Sequence, residues 1–118
     1  MSSESKQLFY KILENFQSAV THIENIMSDP DDSEVYGCSA LRLQVLRTDI
    51  EKISSMLSTR YAEDGQMTQL VQLYNTQLSL NSCIWAINEP AGDDALFDDF
   101  ETLKSEILLF ENLINKLD

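Results

Sequence analysis

The stretch QMTQLVQLYNTQLSLNSCIWAIN, residues 66–88, carries no charged side chain, and Gly65 extends this window to 24 consecutive residues without Asp, Glu, Lys or Arg. The chain as a whole is 24% charged, so the window is a marked local departure. Its apolar residues recur at helical spacing, and Glu89-Pro90 follows with a signal that ends a helix. We therefore predict a helix over about 66–88 that meets little bulk water.

Placing this segment at 100° per residue gives an apolar arc of roughly 200°, about twice what an ordinary surface helix needs. The arc consists of Leu70, Val71, Leu73, Tyr74, Leu78, Leu80, Ile84, Trp85 and Ile87. The remaining arc is polar and uncharged, with Thr68, Gln72, Asn75, Thr76, Ser79 and Ser82. Covering hydrogen-bonded polar groups is cheap, whereas burying an unpartnered charge costs several kcal/mol.

Three arrangements explain such a helix. It lies diagonally inside a bundle and touches all the other helices, or a second chain covers part of it, or its polar arc is an ordinary exposed face. In the second arrangement Tyr74 and Trp85 are the expected anchors, because aromatic side chains dominate interfaces.

Three further segments repeat apolar residues at intervals of three and four. Asp29-Pro30 ends the first of them, Ser39 is a plausible N-cap for the second, and Gly65 can cap its end. The predicted elements are helices over about 5–27, 39–62, 66–88 and 93–117, with an acidic loop over 28–37. Short connections favour antiparallel neighbours. We predict an all-α fold in which 1–118 is a single domain, an up-down-up-down four-helix bundle with heptad-like packing.

The charge balance restricts the partners. With 8 basic and 20 acidic residues the net charge is -12, which repels nucleic acid and anionic membranes and favours a basic protein surface. The N-terminus has no apolar leader segment, and no run of 18 apolar residues occurs, so we expect a soluble cytoplasmic protein. Cys38 and Cys83 form no C-x-x-C pair, which indicates neither zinc nor a disulfide framework.

Catalytic and metal-binding patterns are missing from the sequence. The single histidine, His22, has no acidic or histidine partner one turn away. The loop that begins at Asp29 fails the calcium-loop pattern, because Glu34 replaces the glycine and Ala40 the final glutamate. We therefore expect no enzyme, no cofactor and no metal site.

The leading hypothesis is a non-catalytic interaction module, such as an adaptor, a small chaperone-like binder, an inhibitor or a complex subunit. It docks another protein, or a second copy of itself, on an apolar helix face. The predicted partner-binding residues are Leu70, Tyr74, Leu78, Trp85 and Phe97. The alternative is an acidic surface mimic that blocks the basic site of a nucleic-acid-binding protein. Its candidate residues are Asp29, Asp31, Asp32, Glu34, Asp93, Asp94, Asp98, Asp99 and Glu101.

Overall fold

The computed structural model describes residues 3–29, 31–64, 67–88 and 93–117, without the side chains of residues 3, 60–64, 93 and 94. These residues form four α-helices and no strand, which confirms the all-α prediction. The helices are α1 (Ser3–Ser28), α2 (Ser33–Asp64), α3 (Met67–Asn88) and α4 (Asp93–Ile114).

The helices pack side by side into an elongated body of 47 × 22 × 19 Å. Helix α1 packs against α2 and α4, and α3 packs against the same two helices from the other side. Among the described residues, no α-carbon of α1 comes within 8 Å of one in α3, and α2 and α4 are separated in the same way. All four helices contribute to one apolar core. Helix α3 is therefore a corner helix and does not lie in the middle of the body.

Three phenylalanines fill the core between α1 and α4. Phe9, Phe16 and Phe110 are fully buried, and the ring centroid of Phe110 lies 6.1 Å from that of Phe9 and 5.9 Å from that of Phe16. The second pair meets nearly edge to face, at 84°. Such aromatic pairs contribute about 0.5–1.5 kcal/mol each beyond the area that they bury. Phe9 and Phe16 are seven residues apart, so they lie on the same side of α1 and both reach Phe110.

The acidic loop is shorter than predicted, because α2 begins at Ser33 and not near Ser39. Asp32 is the N-cap: its Oδ1 accepts hydrogen bonds from the backbone N–H groups of Glu34, at 3.0 Å, and Val35, at 3.1 Å. Ser39 is a buried residue within the helix. The acidic cluster that we assigned to a loop thus caps a helix and favours its positive N-terminus.

Candidate interaction surface

The face that α3 turns towards the core differs from the one that hydrophobicity alone predicts. The buried residues are Leu70, Gln72, Leu73, Thr76, Leu80, Cys83, Ile84, Ala86 and Ile87. Two of them, Gln72 and Thr76, belong to the polar arc. Tyr74, Leu78 and Trp85 belong to the apolar arc and are exposed. Of the three arrangements considered for this helix, the one in which α3 touches all the other helices is wrong, because α3 packs against α2 and α4 and not against α1.

Hydrogen bonds to α4 explain why polar side chains of α3 point inwards. The side-chain amide of Gln72 donates to the backbone carbonyl of Glu106 at 3.0 Å and also to the Glu106 carboxylate. The hydroxyl of Thr76, which is fully buried, donates to the Gln72 carbonyl of α3 at 2.8 Å and also reaches the Glu106 carbonyl of α4 at 3.4 Å. Because these groups have partners, their burial avoids the penalty of about 1–3 kcal/mol for an unsatisfied polar group. Gln72 and Thr76 of the polar arc thus belong to the α3–α4 contact, whereas Thr68, Asn75 and Ser82 are exposed.

The outward side of α3 carries a continuous row, here named the α3 stripe. Its members are Met67, Val71, Tyr74, Leu78, Asn81 and Trp85. Their intervals of 4, 3, 4, 3 and 4 residues match the seam of a coiled coil, in which successive members stay on one side of the helix. Asn81 is the single polar member and is half-buried. At 1.5 Å per residue, the stripe is about 27 Å long.

The stripe is open to solvent for most of its length. Leu78 is 65% exposed and Trp85 is 68% exposed, whereas Leu80 is 1% exposed. Tyr74 is held in place by a hydrogen bond between its hydroxyl and that of Ser58 in α2. An apolar row with a fixed aromatic residue is suited to receive another apolar surface.

A groove of about 690 Å³ runs beside the Trp85 half of the stripe. Gln44 and Arg47 of α2 lie along it, as do Leu78 and Trp85 of the stripe and Asp99 of α4. One lining residue is cationic and one is anionic, so they do not give the groove a net charge. A ligand segment that lies in it meets apolar and amide groups between two opposite charges.

Two predicted partner-binding residues do not belong to this surface. Leu70 is 3% exposed and packs in the core, so its side chain is not part of the exposed surface. Phe97 is 55% exposed, but it lies about 200° around α4 from Asp99, which faces α3. Met67, Val71 and Asn81 were missed as members, although their spacing was visible in the sequence.

The acidic residues of both predicted clusters lie near one end of the molecule. The Tyr36 hydroxyl donates to the Ile87 carbonyl, which joins the start of α2 to the end of α3. Exposed members of the clusters are Asp29, Asp31, Glu34, Asp98 and Glu101. Asp32 and Asp99 are half-buried. Asp93 and Asp94 are the first residues of α4, and their side chains lie outside the described part of the chain.

The histidine and the cysteines are not members of the stripe: His22 is in α1, Cys38 is in α2, and Cys83 is on the buried side of α3. Burial and, secondly, the nearby Arg42 lower the pKa of His22, whose Nδ1 is buried without a hydrogen-bond partner. Burial and, to a smaller extent, Asp99 raise the pKa of Cys83 to about 12. The thiol of Cys38 is free and exposed. In the described ranges, no three His, Cys, Asp or Glu side chains are grouped as metal ligands are.

The sequence matches no protein-family model, no curated protein and no solved structure. No helix in the described ranges has the combined length and apolar content that a membrane span requires. The case for a function therefore depends on the chain's own surface, and the α3 stripe is its most distinctive feature.

Proposed function

We propose that this protein is a non-catalytic interaction module that docks a partner on the α3 stripe. The observation that carries the proposal is the stripe itself, a straight apolar row on the outside of a chain with a net charge of -12. Its five apolar members are each 45–68% exposed. They present roughly 500 Å² in total, taking ~150–250 Å² for a whole side chain. The largest apolar patch on a monomer is about 300–600 Å² and is often functional.

Trp85 and Tyr74 are the proposed anchors. Tryptophan and tyrosine are enriched among the residues that dominate binding energies, because they bury a large area and lose few rotamers. Trp85 stands beside the groove, and the contact with Ser58 fixes Tyr74 before binding. A residue that is already ordered loses less conformational entropy on association.

Three further statements belong to the same proposal. The helices form an up-down-up-down bundle with heptad-like packing. Two hydrogen bonds between α2 and α3, Ser54–Gln77 and Ser58–Tyr74, support opposite directions for these two helices, because the later residue of α2 meets the earlier residue of α3. The chain is one domain without a cofactor and does not act as an enzyme. It works in the cytoplasm, where free thiols such as Cys38 remain reduced.

A matched pair of leucine variants tests the docking face. Leu78 of the stripe is 65% exposed, and Leu108 of α4 is 58% exposed. Both are replaced by lysine, and the wild-type and variant chains are used as baits for cellular proteins and for a second tagged copy of the chain. We expect Leu78→Lys to lose the bound species and Leu108→Lys to keep it. Equal binding by both variants, or no bound species with the wild-type chain, contradicts the proposal.

The acidic surface mimic is the second candidate, favoured by the shared end of the two acidic clusters. The Tyr36–Ile87 hydrogen bond brings these clusters together, so their fields add. The test is titration of a basic nucleic-acid-binding domain at low and high salt, with Asp98→Asn/Glu101→Gln beside Glu14→Gln as the control on α1. Mimicry predicts binding that collapses with salt and with the double substitution only. Apolar docking on the stripe survives both.

A further inference from the structure

We propose that the occupant of the α3 stripe is a second copy of this chain, packed antiparallel to the first through α3. The inference rests on the proposed function, because it uses the same docking face, and it names the partner. Three properties of the described residues support it: the charge along the face, the register of the stripe and the position of the acidic clusters.

Charge selects this face for self-association. Two copies carry -12 each and repel one another, and at physiological salt the repulsion acts over about 8 Å between exposed charges. The α3 stripe lies in the 24-residue window without charge, so the approach of two copies along it brings no like charges of α3 together. The nearest charged residues of the groove are Arg47 and Asp99, which have opposite signs. A stripe that binds a strongly basic partner would instead be flanked by acidic residues on both of its sides.

The stripe is complementary to itself when reversed. If residue n lies opposite residue 152 minus n of the second copy, all six members find a partner. Met67 meets Trp85, and Tyr74 meets Leu78, each pair occurring twice. A thioether against an indole and a phenol ring against a leucine are both favourable contacts. Val71 meets Asn81 in the remaining pair, which also occurs twice.

The acidic clusters decide between antiparallel and parallel packing. Because the start of α2 meets the end of α3, the clusters lie at the Trp85 end of the stripe. Parallel packing places both sets of clusters at the same end, where like charges repel. Antiparallel packing moves them to opposite ends of a contact that is about 27 Å long, which is well beyond the screening distance. The dimer is therefore a rod with an acidic cluster at each end.

The available area predicts a dimer of modest affinity. Two stripes bury about 1,000 Å² of total surface, which is below the ~1,200–2,000 Å² of most stable complexes. We expect a dissociation constant in the micromolar range and a monomer–dimer equilibrium that high salt does not weaken.

The first experiment measures molar mass by sedimentation equilibrium over a range of concentrations, at low and high salt, for the full chain. We expect the wild type and Leu108→Lys to dimerise alike, and Leu78→Lys to dimerise about 100-fold more weakly or not at all, since each dimer contains the substitution twice. A wild type that remains monomeric at hundreds of micromolar overturns the inference. So does a dimer that Leu78→Lys leaves unchanged.

The second experiment measures the direction of packing with spin labels. Cys38 is replaced by serine, whereas Cys83 is buried and does not take up the label. Asn75→Cys and Asn88→Cys are then labelled one at a time, both sites being exposed on α3. Antiparallel packing in this register gives offsets along the helix axis of about 3 Å between labels at 75 and about 36 Å between labels at 88. Similar distances at both sites overturn the antiparallel arrangement.

The two proposals fail in different ways. If the wild type stays monomeric but captures another protein that Leu78→Lys loses, the second copy is wrong and the docking face is right. If no variant of the stripe changes any association, both proposals are wrong.

Discussion

Two leucines two positions apart on α3 should differ strongly in their contribution to stability. Leu80 is 1% exposed, so Leu80→Ala removes buried methyl groups and leaves a cavity, at a cost of about 2–5 kcal/mol. Leu78 is 65% exposed and buries only a third of its surface. With about 1.5–3 kcal/mol for burying a whole leucine, Leu78→Ala should cost less than about 1 kcal/mol. The expected difference is about 1–5 kcal/mol, and each kcal/mol corresponds to roughly 3–6 °C in Tm for a chain of this size.

The assay is urea unfolding of both variants, followed by far-ultraviolet circular dichroism, at concentrations low enough for the chain to be monomeric. Dilution matters because a dimer linked to folding would add an apparent contribution from Leu78. If Leu78→Ala costs as much as Leu80→Ala in the monomer, α3 is enclosed on all sides. The outward orientation of the stripe, and the proposals built on it, are then wrong.

Four other predictions concern the core, the start of α2 and the thiols. Phe110→Ala, which removes the ring shared by two aromatic pairs, should lower the free energy of unfolding by about 3–5 kcal/mol in the same urea assay. Asp32→Ala should cost about 1 kcal/mol and Asp32→Asn much less, because asparagine retains the cap. Gly37→Ala should stabilise by about 0.5–1 kcal/mol, since Gly37 is inside a helix and nothing lies within 4 Å of an added Cβ; a loss of stability contradicts the early start of α2. At pH 8 a thiol reagent should modify Cys38 and spare Cys83, whose pKa is raised to about 12, until the chain is unfolded by urea; two rapidly reacting thiols in the native chain contradict that burial.

The sequence was sufficient to predict that the chain forms four helices, and in α1 and α4 it carries a pattern that marks the buried side. In α1, charged residues such as Lys11 and Glu14 occupy one side, so the side of Phe9 and Phe16 must face inwards. The same contrast is present in α4, where Phe110 is fully buried and the charged residues Glu101 and Lys104 are exposed.

Helix α3 lacks that contrast, and this is why its orientation was predicted poorly. Because no charged residue marks the outside of α3, the apolar arc and the polar arc are both compatible with burial. Which arc is buried depends on partners that only the folded chain provides. Gln72 and Thr76 turn inwards, where the backbone carbonyl of Glu106 in α4 accepts hydrogen bonds from both. Leu78 and Trp85 consequently turn outwards. Hydrogen bonds between α3 and α4 thus accompany the burial of Leu73, Leu80 and Ile84 on the same side of the helix.

The start of α2 shows a second limit. Gly37 and the acidic residues before it are typical of a loop, and we placed the helix start after them. The cap of Asp32 and the contact of Tyr36 with Ile87 extend the helix across the glycine. A glycine in a helix costs about 1 kcal/mol, an amount that one good cap offsets.

The most direct test of the docking face is the fluorescence of Trp85, the only tryptophan in the chain. Its indole is 68% exposed at one end of the stripe. In dilute wild-type protein we predict water-like, red-shifted emission that acrylamide quenches strongly. As concentration rises, the emission should shift to the blue and become protected from acrylamide, and Leu78→Lys should abolish this change. Two results would contradict the docking of a second copy on the α3 stripe. One is blue emission that is protected from acrylamide at every dilution, and the other is red, quenchable emission at every concentration in both proteins.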